Sequence, residues 1–368
     1  MSVICKIATA VPPNKYEQAH LADFMSGFFQ HTDLQKRKLK LMYAKSGINT
    51  RYSAIPDFDC APEQRQFFPK TANLEPFPNI VTRMKYYNKM ALPVCIEAIE
   101  KCLDEKINKQ QITHLITVSC TGLSAPGIDI DLVQHFKLNE TINRTSINFM
   151  GCYAAMHALK QADYICKSEE NAIVLIICIE LCTIHFQKIN DDDNNTANLL
   201  FADGAAATIV ISEKYASRHK INGFEMIKFH SQVALNGKSD MAWKLTSTGF
   251  LMTLSAYIPK LIESDIKIFF DKAIAQLAIN KQEIKHWAIH PGGKKILEVI
   301  QKELGLQNID LESSYRVLKN YGNMSSPTFL FVLKDILETK IDTTKKEKTF
   351  GVAFGPGLTM ESVILAYV

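Results

Sequence analysis

The sequence has no apolar run long enough to cross a bilayer. Its longest is Ala172–Ile179, against the roughly 20 residues a spanning helix needs. No C-x-x-C pair occurs, although there are nine cysteines, at 5, 60, 95, 102, 120, 152, 166, 178 and 182. Structural zinc and thioredoxin-type chemistry are therefore disfavoured. The odd number and irregular spacing read as reduced thiols of a cytosolic protein, mostly core fillers. Met1–Pro13 lacks the charged start, long apolar stretch and cleavage site of a secretory signal. No G-x-x-x-x-G-K-(S/T) and no G-x-G-x-x-G after a strand is present. Gly355-Pro356-Gly357 lacks the third glycine, and its proline removes a donor. Nucleotide triphosphate, nicotinamide and flavin chemistry are not expected, and neither is a bound cofactor or metal. Charge of one sign is also lacking, with 42 Lys plus Arg against 38 Asp plus Glu, a net +4. Neither nucleic acid nor a membrane is expected as the main partner.

What is present is a globular composition. The 368 residues are 47% apolar and 22% charged, enough for a large core in two domains or one domain of two halves. Short apolar runs rich in Ile and Val predict strands at Leu115–Ser119, Ala172–Ile179, Ala206–Ile211, Trp287–Ile289 and Val363–Ala366. Helical patterns fill Ala91–Leu103, Tyr153–Cys166, Ile258–Leu277, Lys294–Leu304 and Thr328–Leu337. The alternation defines an α/β fold. Pro69–Pro78 reads as a loop, and Asn190–Asn195 and Lys345–Lys348 as solvated surface.

An internal echo refines this. Ile112–Ile116 followed by Gly122 resembles Ile284–Ala288 followed by Gly292. Asn148–Cys152 resembles the polar turn Asn320–Ser326, and each opens a helix. Phe201–Gly204 and Phe354–Gly357 each precede a terminal strand. The three pairs keep their order, which points to a duplicated β-α unit with halves 1–222 and 223–368.

Three residues carry candidate chemistry. Cys152 follows Gly151, which permits a sharp turn, and precedes a helix rich in alanine. The dipole at such a helix start predicts a depressed thiol pKa and faster alkylation than the other cysteines. His290 ends an apolar strand before Pro291-Gly292-Gly293, where α/β folds place ligand sites. Asn323, in Tyr321-Gly-Asn-Met-Ser-Ser-Pro, is either a turn residue or an amide donor for an oxyanion or enolate. A Cys, a later His and a still later Asn suit nucleophilic acyl transfer. Papain-like proteases share that order, but their Cys-Gly-(Ser/Ala)-Cys-(Trp/Tyr) signature is absent. Condensing enzymes of acyl thioesters are the other class.

At Gly151-Cys152-Tyr153-Ala154-Ala155, His290-Pro291-Gly292-Gly293, Tyr321-Gly-Asn-Met-Ser-Ser326 and Phe354-Gly-Pro-Gly-Leu-Thr359 the chain resembles the type III polyketide synthases of the chalcone and stilbene synthase family. The similarity runs from Pro12-Pro13 to the last strand. It implies a thiolase fold with duplicated α-β-α-β-α layers, a cytoplasmic homodimer, and malonyl-CoA and an acyl-CoA starter as substrates. It implies that Cys152 holds the starter, while His290 and Asn323 hold the malonyl thioester carbonyl and the enolate left by CO₂. His290 would also be the ion-pair partner of the Cys152 thiolate. The resemblance places Phe201, Thr121, Cys182, His185, Met252, Phe354, Gly355 and Pro356 around the substrate pocket. It places Lys38, Lys45, Gly292 and Lys295 along the CoA.

The chain also departs from the plant pattern. Leu41 replaces an Arg for CoA, Met252 an aromatic gate, Cys182 and His185 pocket threonines, Ala125 the Met that crosses the plant dimer interface, and Ala353 a loop Gly. A gate of flexible Met predicts a larger, softer cavity. The expected starter is a medium or long fatty acyl-CoA, giving alkylpyrones or alkylresorcinols. An aromatic starter, or a single-condensation β-ketoacyl synthase using an acyl carrier protein, are the alternatives.

Overall fold

The computed structural model describes every residue except Gln30 and Ala256. Its first part runs β1 (Ser2–Ala10), β2 (Asn14–Glu17), α1 (Gln18–Phe28), α2 (Asp33–Lys45), β3 (Thr50–Ser53) and α3 (Ile80–Cys102). It continues through β4 (His114–Ser119), α4 (Ile128–Phe136), β5 (Asn143–Asn148), α5 (Ala154–Ser168) and β6 (Ile173–Leu181). Then come α6 (Asp192–Leu200), β7 (Asp203–Ser212) and α7 (Glu213–His219). The second part runs β8 (Phe224–Val233), the hairpin β9 (Met241–Thr246) and β10 (Gly249–Leu254), α8 (Ile258–Ala275) and β11 (Ile284–Ile289). It ends with α9 (Lys294–Glu303), α10 (Glu312–Tyr321), α11 (Thr328–Thr339), β12 (Lys348–Gly355) and β13 (Thr359–Tyr367).

Nine strands form one sheet in the order β11-β12-β13-β8-β1-β7-β6-β4-β5. The pairing pattern repeats. In the first part β4 runs parallel to β6, β6 antiparallel to β7, and β7 antiparallel to β1. In the second, β11 runs parallel to β12, β12 antiparallel to β13, and β13 antiparallel to β8. The two arrays pair with each other through Ser2–Ile4 against Phe224–Met226.

Every residue of β6 and β7 is buried, which is why these strands read as continuous apolar runs rather than alternating ones. Between the arrays lie α5 and α11. The first buries Ala154, Ala155, Ala158 and Ala162, small residues that let it approach both sheets. The second buries every residue from Thr328 to Leu333, the all-round burial of a central helix. Outside, α3 packs on β1, β6 and β7, while Phe270 of α8 packs on Trp287 and Phe350. These are the five layers that the resemblance implies.

Several boundaries differ from the sequence reading: β7, β11 and β13 begin three or four residues earlier than expected, and Lys348, read as solvated surface, opens β12. The helix expected from Ala91 begins at Ile80, where the Asn79 side chain accepts the Thr82 N–H. The stretch Asn190–Asn195 is not plain solvated loop. Asp191 accepts the Asn194 N–H and caps α6, so acidic and amide residues that read as surface open a helix instead.

The junction tolerates no side chain at Gly223. A Cβ there would lie 2.2 Å from the Ile4 carbonyl oxygen and 2.9 Å from the Cys5 Cα. Both are backbone atoms in a sheet and cannot swing away. Gly223→Ala is expected to destabilise the fold by about 1–3 kcal/mol, read as a lower urea midpoint at unchanged slope. An unchanged midpoint would show that the two arrays are not locked there.

Candidate active site

The chain reverses sharply between β5 and α5. Phe149 adopts φ +58° and Gly151 φ +83°. A Cβ on Gly151 would lie 2.2 Å from Pro356 Cδ, and one on Gly355 would lie 2.5 Å from the Tyr153 ring. The loop after β12 therefore interlocks with the loop that presents Cys152. Asn323 reaches the same point on the loop between α10 and α11. Its N–H donates to the Leu200 carbonyl (3.0 Å) and its own carbonyl accepts the Ala202 N–H (2.9 Å), so it bridges to Phe201. Ser325, at φ +60°, donates its N–H to Asn323 Oδ1 at 2.8 Å. That fixes the amide orientation and leaves Nδ2 as the donor, 4.0 Å from Cys152 Sγ.

Cys152, His290 and Asn323 line one cavity of about 570 Å³. Thr121, Cys182, Phe201, Met252, Gly292, Phe354 and Pro356 line it too. Gly355 does not face this cavity; it packs against Tyr153. A second cavity of about 610 Å³ shares Cys182, Phe201, Trp243 and Met252 with the first. It continues to Leu21, Met25 and Phe58.

His185 lines only the second cavity. Its Nε2 lies 2.7 Å from the Thr121 carbonyl, its Nδ1 accepts the Phe250 N–H at 3.1 Å, and its ring stacks on Phe250 at 4.2 Å. Trp243 donates its Nε1–H to the Cys120 carbonyl at 3.0 Å and meets His185 edge-on. Trp243, His185 and Phe250 thus form a pinned aromatic wall on the cavity that Met252 also lines.

The lysines expected along the CoA lie outside both cavities. Lys38 faces Asp192 at 3.4 Å. Lys45 and Lys295 are exposed. The end of α2 abuts the first turn of α9, since Gly47 packs on the Lys294 stem. Lys45 and Lys295 thus flank one basic edge, and Lys38 belongs to the α6 side.

Burial sets the electrostatics. The Cys152 thiol is pushed up to about 11, with Ser325 and Asn323 pulling the other way. Burial alone takes the His290 imidazole down to about 3. The helix dipole by itself does not give the depressed thiol that the sequence reading expected, because desolvation in a closed apolar site outweighs it. Neither ring nitrogen of His290 has a protein partner. Each group alone is neutral. A proton passed from Cys152 to His290 would leave two opposite charges in one cavity, and the two then titrate as a unit.

Glu180 was not legible as part of the site. It is an acid near the end of the apolar run of β6, fully buried. Its oxygens accept the Cys120 N–H (2.9 Å), the Thr121 hydroxyl (2.8 Å) and the Ser326 hydroxyl (2.7 Å). Burial pushes its carboxyl up to about 7. It ties the Thr121 segment to the loop that carries Asn323. An acid inside an otherwise apolar strand was the available signal.

A buried thiol facing an amide donor and an unpartnered imidazole, at the seam of a five-layer fold, is the arrangement of a thiolase-type condensing enzyme. The chain matches the N-terminal domain of chalcone and stilbene synthases over residues 1–214 and their C-terminal domain over 226–368, and it belongs to that family, the type III polyketide synthases. It is 28% identical over 365 residues to "Alpha-pyrone synthesis polyketide synthase-like Pks18" of Mycobacterium tuberculosis, covering 99% of this chain and 91% of that one. It is 29% identical over 374 residues to "Probable polyketide synthase 1" of Dictyostelium discoideum, covering 100% of this chain but spanning 11% of that protein. Among solved structures, PKS-I of the brown alga Ectocarpus siliculosus superposes with a TM-score of 0.91 at 26% identity, covering 100% of this chain and 98% of that one. The C-terminal type III polyketide synthase domain of Steely1, a type I/III hybrid from Dictyostelium, gives 0.88 at 28% identity, covering 100% and 99%.

His290→Gln removes the one imidazole facing the Cys152 cavity. Iodoacetamide labelling of Cys152 near pH 7 should slow at least about tenfold, the effect of one pKa unit on the thiolate population. Cys60, partly exposed and outside the cavity, should label at the parent rate. Equal Cys152 rates in parent and variant, read by peptide mass spectrometry, would show that His290 does not take the proton.

Proposed function

We propose that this chain loads an acyl-CoA starter on Cys152 and extends it iteratively with malonyl-CoA. The observation that carries this reading is the buried, neutral His290 with no protein partner, in one cavity with Asn323 and Cys152. An unpaired polar group in a closed site costs free energy unless an oxygen arrives to meet it. A thioester carbonyl, and still more the enolate formed from it, is such an oxygen.

In the first half-reaction Cys152 passes its proton to His290 and the thiolate attacks the starter carbonyl; the Cys152 S–C bond forms, the C–S bond to CoA breaks, and CoA takes the proton from His290 and leaves as its thiol. In the second, the C–CO₂ bond of the malonyl thioester breaks. Its electron pair becomes an enolate whose oxygen accepts hydrogen bonds from neutral His290 and from Asn323 Nδ2. The enolate carbon attacks the Cys152 thioester, and Cys152 leaves as thiolate. In this second half-reaction no residue needs to supply a full positive charge, which suits a site where burial holds the imidazole neutral.

The starter we favour is a medium or long fatty acyl chain, released after extension as an alkylpyrone or alkylresorcinol. The support is the second cavity, which leads from Phe201 and Met252 to Leu21, Met25 and Phe58 and gives an apolar tail a place beside the reacting centre. The alpha-pyrone name of the mycobacterial relative points the same way. Lys45 and Lys295 would meet CoA phosphates at the basic edge. A homodimer would form along β5, which pairs on one side only and leaves a row of free backbone groups that a second copy could satisfy. We read residues 1–222 as the half that brings the nucleophile and 223–368 as the half that brings His290 and Asn323. Among the described residues no helix is long and apolar enough to cross a membrane.

The test is mass spectrometry of products from the purified chain with malonyl-CoA and a panel of acyl-CoA starters, with no carrier protein. Pyrones or resorcinols from fatty acyl starters are expected. Turnover of cinnamoyl-type starters alone would overturn the starter, and a single β-ketoacyl thioester as sole product would overturn iteration.

A further inference from the structure

The C-terminal turn of α6 is held in an unusual way. A helix leaves its last four carbonyls without intrahelical partners. Here the carbonyls of residues 198, 199, 200 and 201 all take donors from elsewhere. Arg51 Nη1 donates to the Asn198 carbonyl at 2.8 Å and also to that of Phe201. Gln18 Nε2 donates to Leu199 at 2.7 Å, and the Asn323 N–H to Leu200 at 3.0 Å. Gln18 in turn accepts Arg51 Nε–H at 2.9 Å. The guanidinium and the backbone of Asn323 are thus seated on the same turn, one residue apart.

Arg51 also touches the Asn323 loop from its other side. Gly322, at φ +71°, lies so close that a Cβ there would be 3.0 Å from Arg51 Cγ and Cδ. The neighbours of Arg51 continue the grip. The Asn49 N–H donates to the Lys319 carbonyl at 2.7 Å, the Thr50 hydroxyl donates to the Asn320 carbonyl at 2.7 Å, and Tyr52 stacks on Tyr321 at 5.7 Å. Arg51 is 3% exposed, yet it lines the second cavity beside Phe201.

We propose that Arg51 is a positioning residue for the extension half-reaction: by seating the 198–201 carbonyls and Gly322 together, it sets the distance between the Asn323 amide and Cys152. This rests on the role given above to Asn323. Loading of a short starter, whose acyl group does not extend into the second cavity, needs Cys152 and its proton acceptor, neither of which Arg51 touches. Decarboxylation and extension need the Asn323 amide in place. A loose Arg51 should therefore separate the two half-reactions, whereas damage to the fold would depress both.

The test uses the full chain with Arg51→Lys, Arg51→Met and the milder Gln18→Ala, with Asn323→Ala as reference. Two quantities are measured: single-turnover acylation of Cys152 by acetyl-CoA, whose two-carbon acyl group does not reach the second cavity that Arg51 lines, read by intact mass, and steady-state conversion of malonyl-CoA to acetyl-CoA and CO₂. For Arg51→Met, kcat for decarboxylation should fall on the order of 10- to 100-fold, the loss a small misplacement causes, with KM for malonyl-CoA and the acylation rate held within about twofold. Arg51→Lys, which keeps a donor, should recover part of kcat, and Gln18→Ala should shift it less in the same direction. Should Arg51→Met not fold, the Lys and Gln18 variants carry the same split. Equal loss in both half-reactions, or no loss in either, overturns the proposal. If Asn323→Ala itself decarboxylates at the parent rate, the role of Asn323 fails and the proposal fails with it.

Discussion

Two loops far apart in the chain, one near its middle and one near its C-terminus, pass each other at a distance that admits no side chain. Gly151 meets Pro356, and Gly355 meets Tyr153. Everything that gives the site its geometry depends on that contact. It brings the loop carrying Cys152 against the loop after β12, and so seats the end of one strand array on the helix start of the other. Glu180 then ties the Thr121 segment to Ser326, and Asn323 hydrogen bonds to both sides of Phe201. Cys152 and Asn323 come from different parts of the chain, and small residues and buried polar bonds hold the seam. A narrow seam also explains why α5 is built on alanine.

The interior of that seam is buried, and the ionisable groups behave accordingly. Cys152, His290 and Glu180 are all shifted toward their neutral forms by burial. This arrangement suits a reaction in which charge appears on substrate oxygen and is then consumed by carbon–carbon bond formation. Neutral donors already in place stabilise an enolate without reorganising. The rings of Trp243, His185 and Phe250 close one wall, and the two cavities join past Phe201 and Met252.

Much of this was legible in the residues. Gly151-Cys152, His290-Pro291-Gly292-Gly293 and the Asn323 turn stand out because each joins a chemical group to a backbone feature that local sequence encodes. The α/β alternation followed from runs such as Ala172–Ile179, which must be covered on both faces. The order of the three echoes corresponds to topologically matching positions: β4 with β11, the starts of α5 and α11, and the starts of β7 and β13. Other features were hidden because they arise only from tertiary contact. Trp243 looks like any hairpin aromatic until its indole reaches the Cys120 carbonyl. Arg51 looks like a surface base in a short strand. The pKa of Cys152 could not follow from helix position, since the opposing desolvation depends on what closes over the thiol. Asn190–Asn195 misled because a polar run serves equally as solvated loop and as helix cap.

The central claim is that the site divides its work: Cys152 loads, while His290 and Asn323 decarboxylate. The most direct measurement is the rate at which Cys152→Ala converts malonyl-CoA to acetyl-CoA and CO₂, alone and with Asn323→Ala added. The account predicts that the single variant forms no carbon–carbon bond yet still decarboxylates. Adding Asn323→Ala should then lower decarboxylation on the order of 10²- to 10³-fold, the usual loss for one oxyanion donor. Decarboxylation that vanishes with Cys152 alone, or that survives the loss of Asn323, would contradict it.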